Sequence, residues 1–312
     1  MKWVLDQLRA NPARTKISVE PTDGVYQNES PESKVYGATA SGQIFGLANE
    51  VARAVQKEFP GKMVSLYAYS NHSDPPSFVL EPNVFVQLTD GFNYSEKGYS
   101  FKELLPLWGK KTRNLGIYSY LTVWQGVEGF DRLPGAPVNR WAAQMRRYIA
   151  SNAVIVSAER SSDWGPRGLG YYIVGKVLWN PAADVDKLLQ DFYDKAFGPA
   201  APAMKRYYQR IDGEKAQMSR NLVGAAMNDL DEAARLAKDR PDVQVRLDDL
   251  KSYLVFVSLR AQFDALPATD KTGLKDAALK MFTHVYRTRY SYYGALSSDG
   301  NLLLGHFGKR TG

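Results

Sequence analysis

Short apolar runs alternate with helix-length stretches over the first 180 residues, and this alternation limits the possible folds more than any other feature of the chain. The runs are rich in β-branched and aromatic residues, as strands are. The predicted strands are 16–20, 64–69, 84–89, 116–121 and 153–158. Strands that alternate with helices pair in parallel and are characteristic of α/β folds.

The stretches between the strands carry helical signals. After the first strand, apolar residues recur at helical spacing over about 40–58, and Phe59-Pro60-Gly61 ends the pattern. Further helices are predicted over about 101–112 and 138–150. Beyond Pro181 no convincing strand follows, and helical patterns recur near 183–196, 200–220, 222–238, 241–264 and 271–290.

These elements predict part of a (β/α)8 barrel of the TIM type. A closed barrel of this type has eight strands, and an open set of strands exposes hydrogen-bonding edges. We therefore expect residues 1–180 to form the C-terminal part of a barrel, with about five of its eight strands, truncated at its N-terminus. Residues 181–312 are expected to form an α-helical domain.

Composition excludes several classes of function. Without cysteine the chain has no disulfide, thiolate ligand or cysteine nucleophile, and its three histidines lack the spacing of helical metal ligands. We expect no metal and no cofactor. The chain has a net charge of +7, but its basic residues are interleaved with acidic ones. This favours solvated helix faces over a nucleic-acid partner.

The chain also lacks membrane and export signals. It has no run of about 18 apolar residues, so no membrane association is expected. The first residues read as an amphipathic helix and contain no signal peptide. Localisation stays open: it is periplasmic or extracellular if an upstream export signal has been lost.

Two predicted strands end in a carboxylate on their more polar face. Ser18 and Glu20 share one face of the first strand, and Ser157 and Glu159 share one face of the fifth. Asp23 follows the first strand, but Pro21 interrupts the alternation and leaves its direction open. Since barrel enzymes collect their functional residues at the carboxyl ends of the strands, these three are the catalytic candidates.

Aromatic and amide side chains accompany the carboxylates at the strand ends and suit the binding of a sugar. Aromatic rings cover the apolar faces of a pyranose, and polar groups bind its hydroxyls. The candidate binding residues are Tyr67, Tyr69, Asn71, His72, Gln87, Tyr118, Tyr120, Trp124 and Trp164.

Each candidate also has a structural alternative. Asp23-Gly24 and Asp90-Gly91 are common turn pairs, and Glu159 next to Arg160 is compatible with a surface ion pair. His72 in a polar loop is compatible with a solvated residue, and Trp164 with a core anchor.

The chain resembles bacterial proteins that carry the domain of unknown function 4838, over roughly residues 16 to 210. The resemblance is carried by Ile17–Gly24, Leu47–Ala52, Leu66–Tyr69 with Pro75-Pro76, Leu80–Val86, Gly116–Tyr120, Glu159, Gly170–Pro181 with Asp184, and Phe197–Ala201. It implies a glycoside-hydrolase-like barrel related to α-glucuronidases and β-hexosaminidases. It also implies Asp23 and Glu159 as rim carboxylates, with Tyr69 and Tyr120 as pocket residues.

Two functions are compatible with these observations. The first is glycoside hydrolysis, with Asp23 or Glu20 as the acid and Glu159 as base, nucleophile or substrate orienter. The second is a carbohydrate-binding or scaffold protein that has the same barrel without turnover. A carbohydrate is the expected partner in both, while the sugar, its linkage, the stereochemical outcome and the oligomeric state stay open.

Overall fold

The computed structural model describes residues 1–25, 28–121, 135–159, 164–212, 219–288 and 290, of which 164–166 are described by their backbone alone. The chain divides into two compact units, one of Met1–Leu121 with Arg147–Glu159 and one of Thr122–Arg146 with Arg160–Gly312. The helix Trp164–Trp179 belongs to the second unit. The domain boundary expected at residue 180 stays a prediction.

The first unit contains a parallel sheet of five strands, counted over the described residues, in the order β1-β2-β3-β4-β5. The strands are β1 (Lys16–Ser18), β2 (Met63–Ser70), β3 (Val84–Asn93), β4 (Leu115–Tyr120) and β5 (Ala153–Glu159). Strand order follows chain order, as it does around a β/α barrel. The half-barrel and the helical C-terminal region confirm the predicted α/β class and partial TIM-type fold.

Helices account for most of the remaining described residues. In the first unit they are Lys2–Ala10, Pro31–Lys34, Ala40–Glu58 and Phe101–Lys111, and Val138–Ala150 contributes residues to both units. In the second unit they are Trp164–Trp179, Val185–Phe197, Ala201–Ile211, Arg220–Leu236, Pro241–Asp264 and Lys271–Thr288, with a 3-10 turn at Gly198–Ala200.

Alternation along β2 separates an apolar face from a polar one. Leu66 and Ala68 are buried on the face that packs against the helix Ala40–Glu58. Burial of a leucine side chain such as that of Leu66 contributes about 1.5–3 kcal/mol. The opposite face holds Tyr67 and Tyr69, which are half-buried. The helix side therefore forms the core, and the polar face remains available for a site.

Local capping fixes where the covering helices begin. The side chain of Thr39 accepts a hydrogen bond from the backbone N–H of Gly42 at 3.0 Å. At the next helix, Ser100 and Glu103 form a capping box, in which Glu103 accepts from the backbone N–H of Ser100 at 2.8 Å. Such caps satisfy backbone donors at the helix start and stabilise it by about 0.5–2 kcal/mol.

The third strand is longer than the sequence predicts. Asp90-Gly91 reads as a turn, yet β3 continues through both residues to Asn93. The extension is held by non-local contacts, because the backbone N–H of Tyr94 donates to the carbonyl of Ser70 at 2.9 Å, next to the register pair Ser70 and Asn93. The turn reading of Asp90-Gly91 is therefore wrong.

The second unit is helical in its described parts. Asp229 is buried there and accepts hydrogen bonds from Arg206 at 3.2 Å and from Arg210. Tyr207 and Tyr253 are fully packed in its interior. Over the described residues of both units, none of the helices combines the length and hydropathy that a membrane span requires.

Candidate functional site

The carboxyl ends of the five parallel strands meet at one edge of the sheet, which we call the carboxyl edge. Because the strands are parallel, residues that follow or end them lie at the same edge. The residues placed there include Glu20 and Asp23 after β1, Tyr67 and Tyr69 in β2, Tyr118 and Tyr120 in β4, and Glu159 at the end of β5.

Glu159 is oriented by a phenol from the neighbouring strand. The hydroxyl of Tyr118 donates to Oε1 of Glu159 at 2.6 Å. Burial raises the pKa of Tyr118, and this hydrogen bond raises it further, so the phenol stays neutral and acts as a donor at ordinary pH. The Tyr118 ring is held edge-on by Tyr67 and Tyr120, with ring centroids 5.1 and 5.4 Å away.

Glu20 connects the first two strands. Its Oε2 accepts a hydrogen bond from the backbone N–H of Tyr67, and its Oε1 lies 3.6 Å from Nε2 of His72. His72 is 3% exposed, so the solvated alternative for this residue is wrong. One oxygen of Glu20 is thereby fixed by the sheet and the other faces a buried imidazole.

Asp23 lies beyond Pro21 and reaches the phenol of Tyr69. Burial raises the pKa of Tyr69, and the charge of Asp23 together with a hydrogen bond to it raises this pKa further. The turn that carries Asp23 is tied to β2, because the hydroxyl of Ser70 donates to the carbonyl of Gly24 at 3.3 Å. Asp23 itself is exposed.

Carboxylates from the first and fifth strands act on the same tyrosines. Burial raises the pKa of Tyr67 most, and the charges of Glu20 and Glu159 raise it further. For Tyr69 the contributing charges include Asp23 and Glu159. The contacts agree for two of these carboxylates: Glu20 accepts from the backbone N–H of Tyr67, and the Tyr67 ring lies 5.1 Å from that of Tyr118, the donor to Glu159.

The other predicted binding residues have different surroundings. Gln87 donates from Nε2 to the hydroxyl of Ser157 at 3.0 Å and so links β3 to β5. Asn71 is half-buried directly after β2. Trp124 lies outside the described residues, and so does the side chain of Trp164, whose backbone begins a helix.

Asp90 has a structural role at this edge that was not predicted from the sequence. It accepts hydrogen bonds from the hydroxyls of Ser119 and Tyr148 and, at 3.0 Å, from the backbone N–H of Tyr120. An aspartate directly after a buried apolar run is the only signal for it, and its donors come from residues 29 or more positions away. These bonds fix the end of β4, which carries Tyr120.

The described residues contain no cluster of three or more His, Asp or Glu side chains arranged to hold a metal ion. The carboxylates at the carboxyl edge have phenols, backbone amides and one imidazole as neighbours. The chemistry that this set offers directly is proton transfer, nucleophilic attack by a carboxylate and hydrogen bonding to hydroxyls.

Comparisons with known proteins give a family and a distant structural likeness. The model of the family described as domain of unknown function (DUF4838) matches residues 1–209. Among solved structures, the chain is similar to a mutant of the Thermobaculum terrenum O-GlcNAc hydrolase, at 9% identity and a TM-score of 0.43, over 99% of this chain and 73% of that one. Comparison with the curated proteins gives no match.

Proposed function

The chain belongs to the DUF4838 family, and we propose that it hydrolyses glycosidic bonds at the carboxyl edge of its half-barrel. Hydrolysis of this kind needs two carboxyl groups, one to protonate the leaving oxygen and one to attack the sugar or to activate water. The edge offers Asp23, Glu20 and Glu159 for these parts, with tyrosines as donors to the sugar hydroxyls.

The observation that carries this proposal is a chain of contacts from Glu20 to Glu159. Glu20 accepts from the backbone N–H of Tyr67, the ring centroids of Tyr67 and Tyr118 are 5.1 Å apart, and Tyr118 donates to Glu159 at 2.6 Å. The pKa of each of the phenols Tyr67 and Tyr69 is raised, after burial, by the charge of a carboxylate that follows β1 and by the charge of Glu159 at the end of β5. A glycosidic bond bound over these rings would therefore have acidic groups on two sides. That arrangement is what an acid paired with a base or nucleophile requires.

The hydrogen bonds of the site suggest how the parts are divided. Glu159 accepts from Tyr118 at 2.6 Å, which orients it for the part of base or nucleophile. Asp23 is exposed at the same edge, which gives it access to a leaving group and makes it the proposed acid. Glu20 is fixed to the backbone of Tyr67, which suits it to positioning more than to proton transfer.

A second function, glycan binding without turnover, is favoured by one observation. Each of the three carboxylates already has a protein donor, from the backbone of Tyr67 or from the phenols of Tyr69 and Tyr118. A site whose carboxylates served to hold its tyrosines in place would bind a sugar through those tyrosines and leave the glycosidic bond intact.

The variant Asp23→Asn separates the two functions. We expect it to lower hydrolysis of the best substrate from a panel of 4-nitrophenyl glycosides, neutral and uronic, by about 100-fold or more, because it removes the acid. Binding of the same glycoside to the variant, measured by calorimetry, should be nearly unchanged. Asp276→Asn, an exposed carboxylate on a helix of the second unit, is the matched control.

Two outcomes would contradict glycoside hydrolysis through this site. If Asp23→Asn and Asp276→Asn both retain the wild-type rate, Asp23 is not the acid. If the wild-type chain binds glycosides from the panel and cleaves none of them, the binding function replaces hydrolysis.

A further inference from the structure

The segment Thr89–Tyr94 at the end of β3 is pinned at both of its ends. The side chains of Thr89 and Asn93 bond reciprocally: the Thr89 hydroxyl donates to Oδ1 of Asn93, and Nδ2 of Asn93 donates to the Thr89 carbonyl, both at 2.8 Å. The backbone of Tyr94 is bonded to Ser70, and Asp90 accepts from three donors. The conformation between these anchors is therefore fixed by the fold.

Phe92, in the middle of this segment, has a conformation that costs stability. Its φ of 56° lies in the left-handed region, which is unfavourable for a residue other than glycine. Its side chain remains 39% exposed, and that of Tyr94 is 58% exposed. A strained backbone that presents an apolar ring to solvent contributes little to the core, and such strain collects at functional sites.

Packing against Tyr120 sets the direction of the Phe92 ring. The two ring centroids are 4.9 Å apart, with the planes nearly perpendicular. Gly91 permits this approach, because a Cβ on that residue would lie 3.1 Å from Cδ2 of Tyr120. The exposed ring is therefore held against a residue of the carboxyl edge.

Both exposed rings border the tyrosines that surround the carboxylates. Phe92 contacts Tyr120, whose ring centroid lies 5.4 Å from that of Tyr118, the phenol that donates to Glu159. The backbone N–H of Tyr94 donates to the carbonyl of Ser70, the residue after Tyr69, and the Tyr69 phenol is bonded to Asp23. Phe92 thus lies beyond the tyrosines that contact the carboxylates, and Tyr94 follows it in the same pinned segment. Both are more exposed than the half-buried tyrosines.

We propose that Phe92 and Tyr94 form an aromatic platform for a second sugar ring, next to the ring that is cleaved. Exposed aromatic faces stack on the apolar C–H faces of a pyranose, and the pinned backbone keeps them in place without a ligand. The substrate class is then a glycan chain of at least two units. This inference rests on the proposed function, since it assigns a neighbouring subsite to the same edge.

The test measures binding of sugar chains against binding of single sugars to the full chain. The probes are cellotetraose, xylotetraose, N-acetylchitotetraose and tetragalacturonic acid, each compared by calorimetry with its monosaccharide. Phe92→Gly removes the ring while suiting the left-handed backbone, so the fold is retained. Phe92→Trp keeps an aromatic ring at this position. Tyr286→Ala is the control, because it removes an exposed aromatic ring from the second unit.

We expect the best-bound tetrasaccharide to lose about tenfold in affinity with Phe92→Gly and with Tyr94→Ala, which corresponds to the loss of one stacking contact. Phe92→Trp, which keeps an aromatic ring, should retain the wild-type affinity, and Tyr286→Ala should have no effect. Unchanged affinity in Phe92→Gly, equal losses for monosaccharide and tetrasaccharide, or binding of no tetrasaccharide by the wild type would overturn the platform. Because binding is measured without turnover, absence of hydrolysis alone contradicts only the proposed function.

Discussion

Two tyrosine and carboxylate pairs of nearly equal geometry occur in different regions of the molecule. At the carboxyl edge, Tyr118 donates to Glu159 at 2.6 Å, and in the helical unit Tyr172 donates to Asp191 at 2.7 Å. The helical pair also includes a cation, because Nζ of Lys195 lies 2.6 Å from Asp191. That ammonium, followed by the bond from Tyr172, lowers the pKa of Asp191.

Glu159 has no such counter-ion among the described residues. Its neighbours are phenols, of which Tyr118 is directly bonded to it and Tyr67 and Tyr69 respond to its charge. A paired cation offsets the charge of a carboxylate, whereas neutral donors orient the carboxylate and leave its charge able to interact with a substrate. Among the described residues, the two pairs therefore share the tyrosine bond and differ in the counter-ion.

The largest expected difference between the two pairs lies in turnover. Glu159→Gln should lower the rate of glycoside hydrolysis by about 1000-fold, because it removes the proposed base or nucleophile. Asp191→Asn should leave this rate within about twofold of wild type, because its carboxylate is paired with Lys195. Steady-state rates on the glycoside that the wild type cleaves fastest check both variants. Comparable losses from the two changes would mean that the counter-ion does not distinguish site from scaffold.

Much of the fold follows from local patterns. Apolar periodicity places the helix Ala40–Glu58 and the strand β2 within a residue or two, because burial on one face repeats along the chain. The extension of β3 to Asn93 could not be predicted in this way. It depends on bonds to Ser70 and Ser119, and these outweigh the local turn preference of Asp90-Gly91.

The candidate site was predictable in outline but not in its partners. Alternation correctly puts Tyr67 and Tyr69 on one face, and the strand-end rule selects Glu159. The bond between Tyr118 and Glu159 joins residues 41 positions apart, and the burial of His72 depends on what folds around it. Such contacts are fixed by strand register and packing, which sequence periodicity does not encode.

Removal of the phenol hydroxyl from each pair is expected to have an effect of intermediate size on turnover. Tyr118→Phe keeps the ring but leaves Glu159 without its donor, and a hydrogen bond to a charged group contributes about 1.5–3 kcal/mol. We expect kcat to fall by at least about tenfold. Tyr172→Phe, the matched change in the helical unit, should leave kcat unchanged. Equal kcat in the two variants would show that Tyr118 does not position Glu159.

The smallest expected effect concerns the tyrosine side of each pair, where the two regions should agree. Burial and the bond to Asp191 raise the pKa of Tyr172 to about 12, above the value near 10 of the unfolded chain. A raised tyrosine pKa stabilises the fold while the phenol is neutral, so the contribution is complete below about pH 10 and declines as the pH rises toward 12. Urea unfolding at pH 8 and pH 11 should therefore show wild type losing stability relative to Tyr172→Phe. Tyr118, whose pKa is raised for the same reasons, should give a loss of the same sign against Tyr118→Phe. A pH dependence of opposite sign at either pair would mean that the phenol is stabilised in its ionised form, and the two regions would then differ in their tyrosines as well as in their carboxylates.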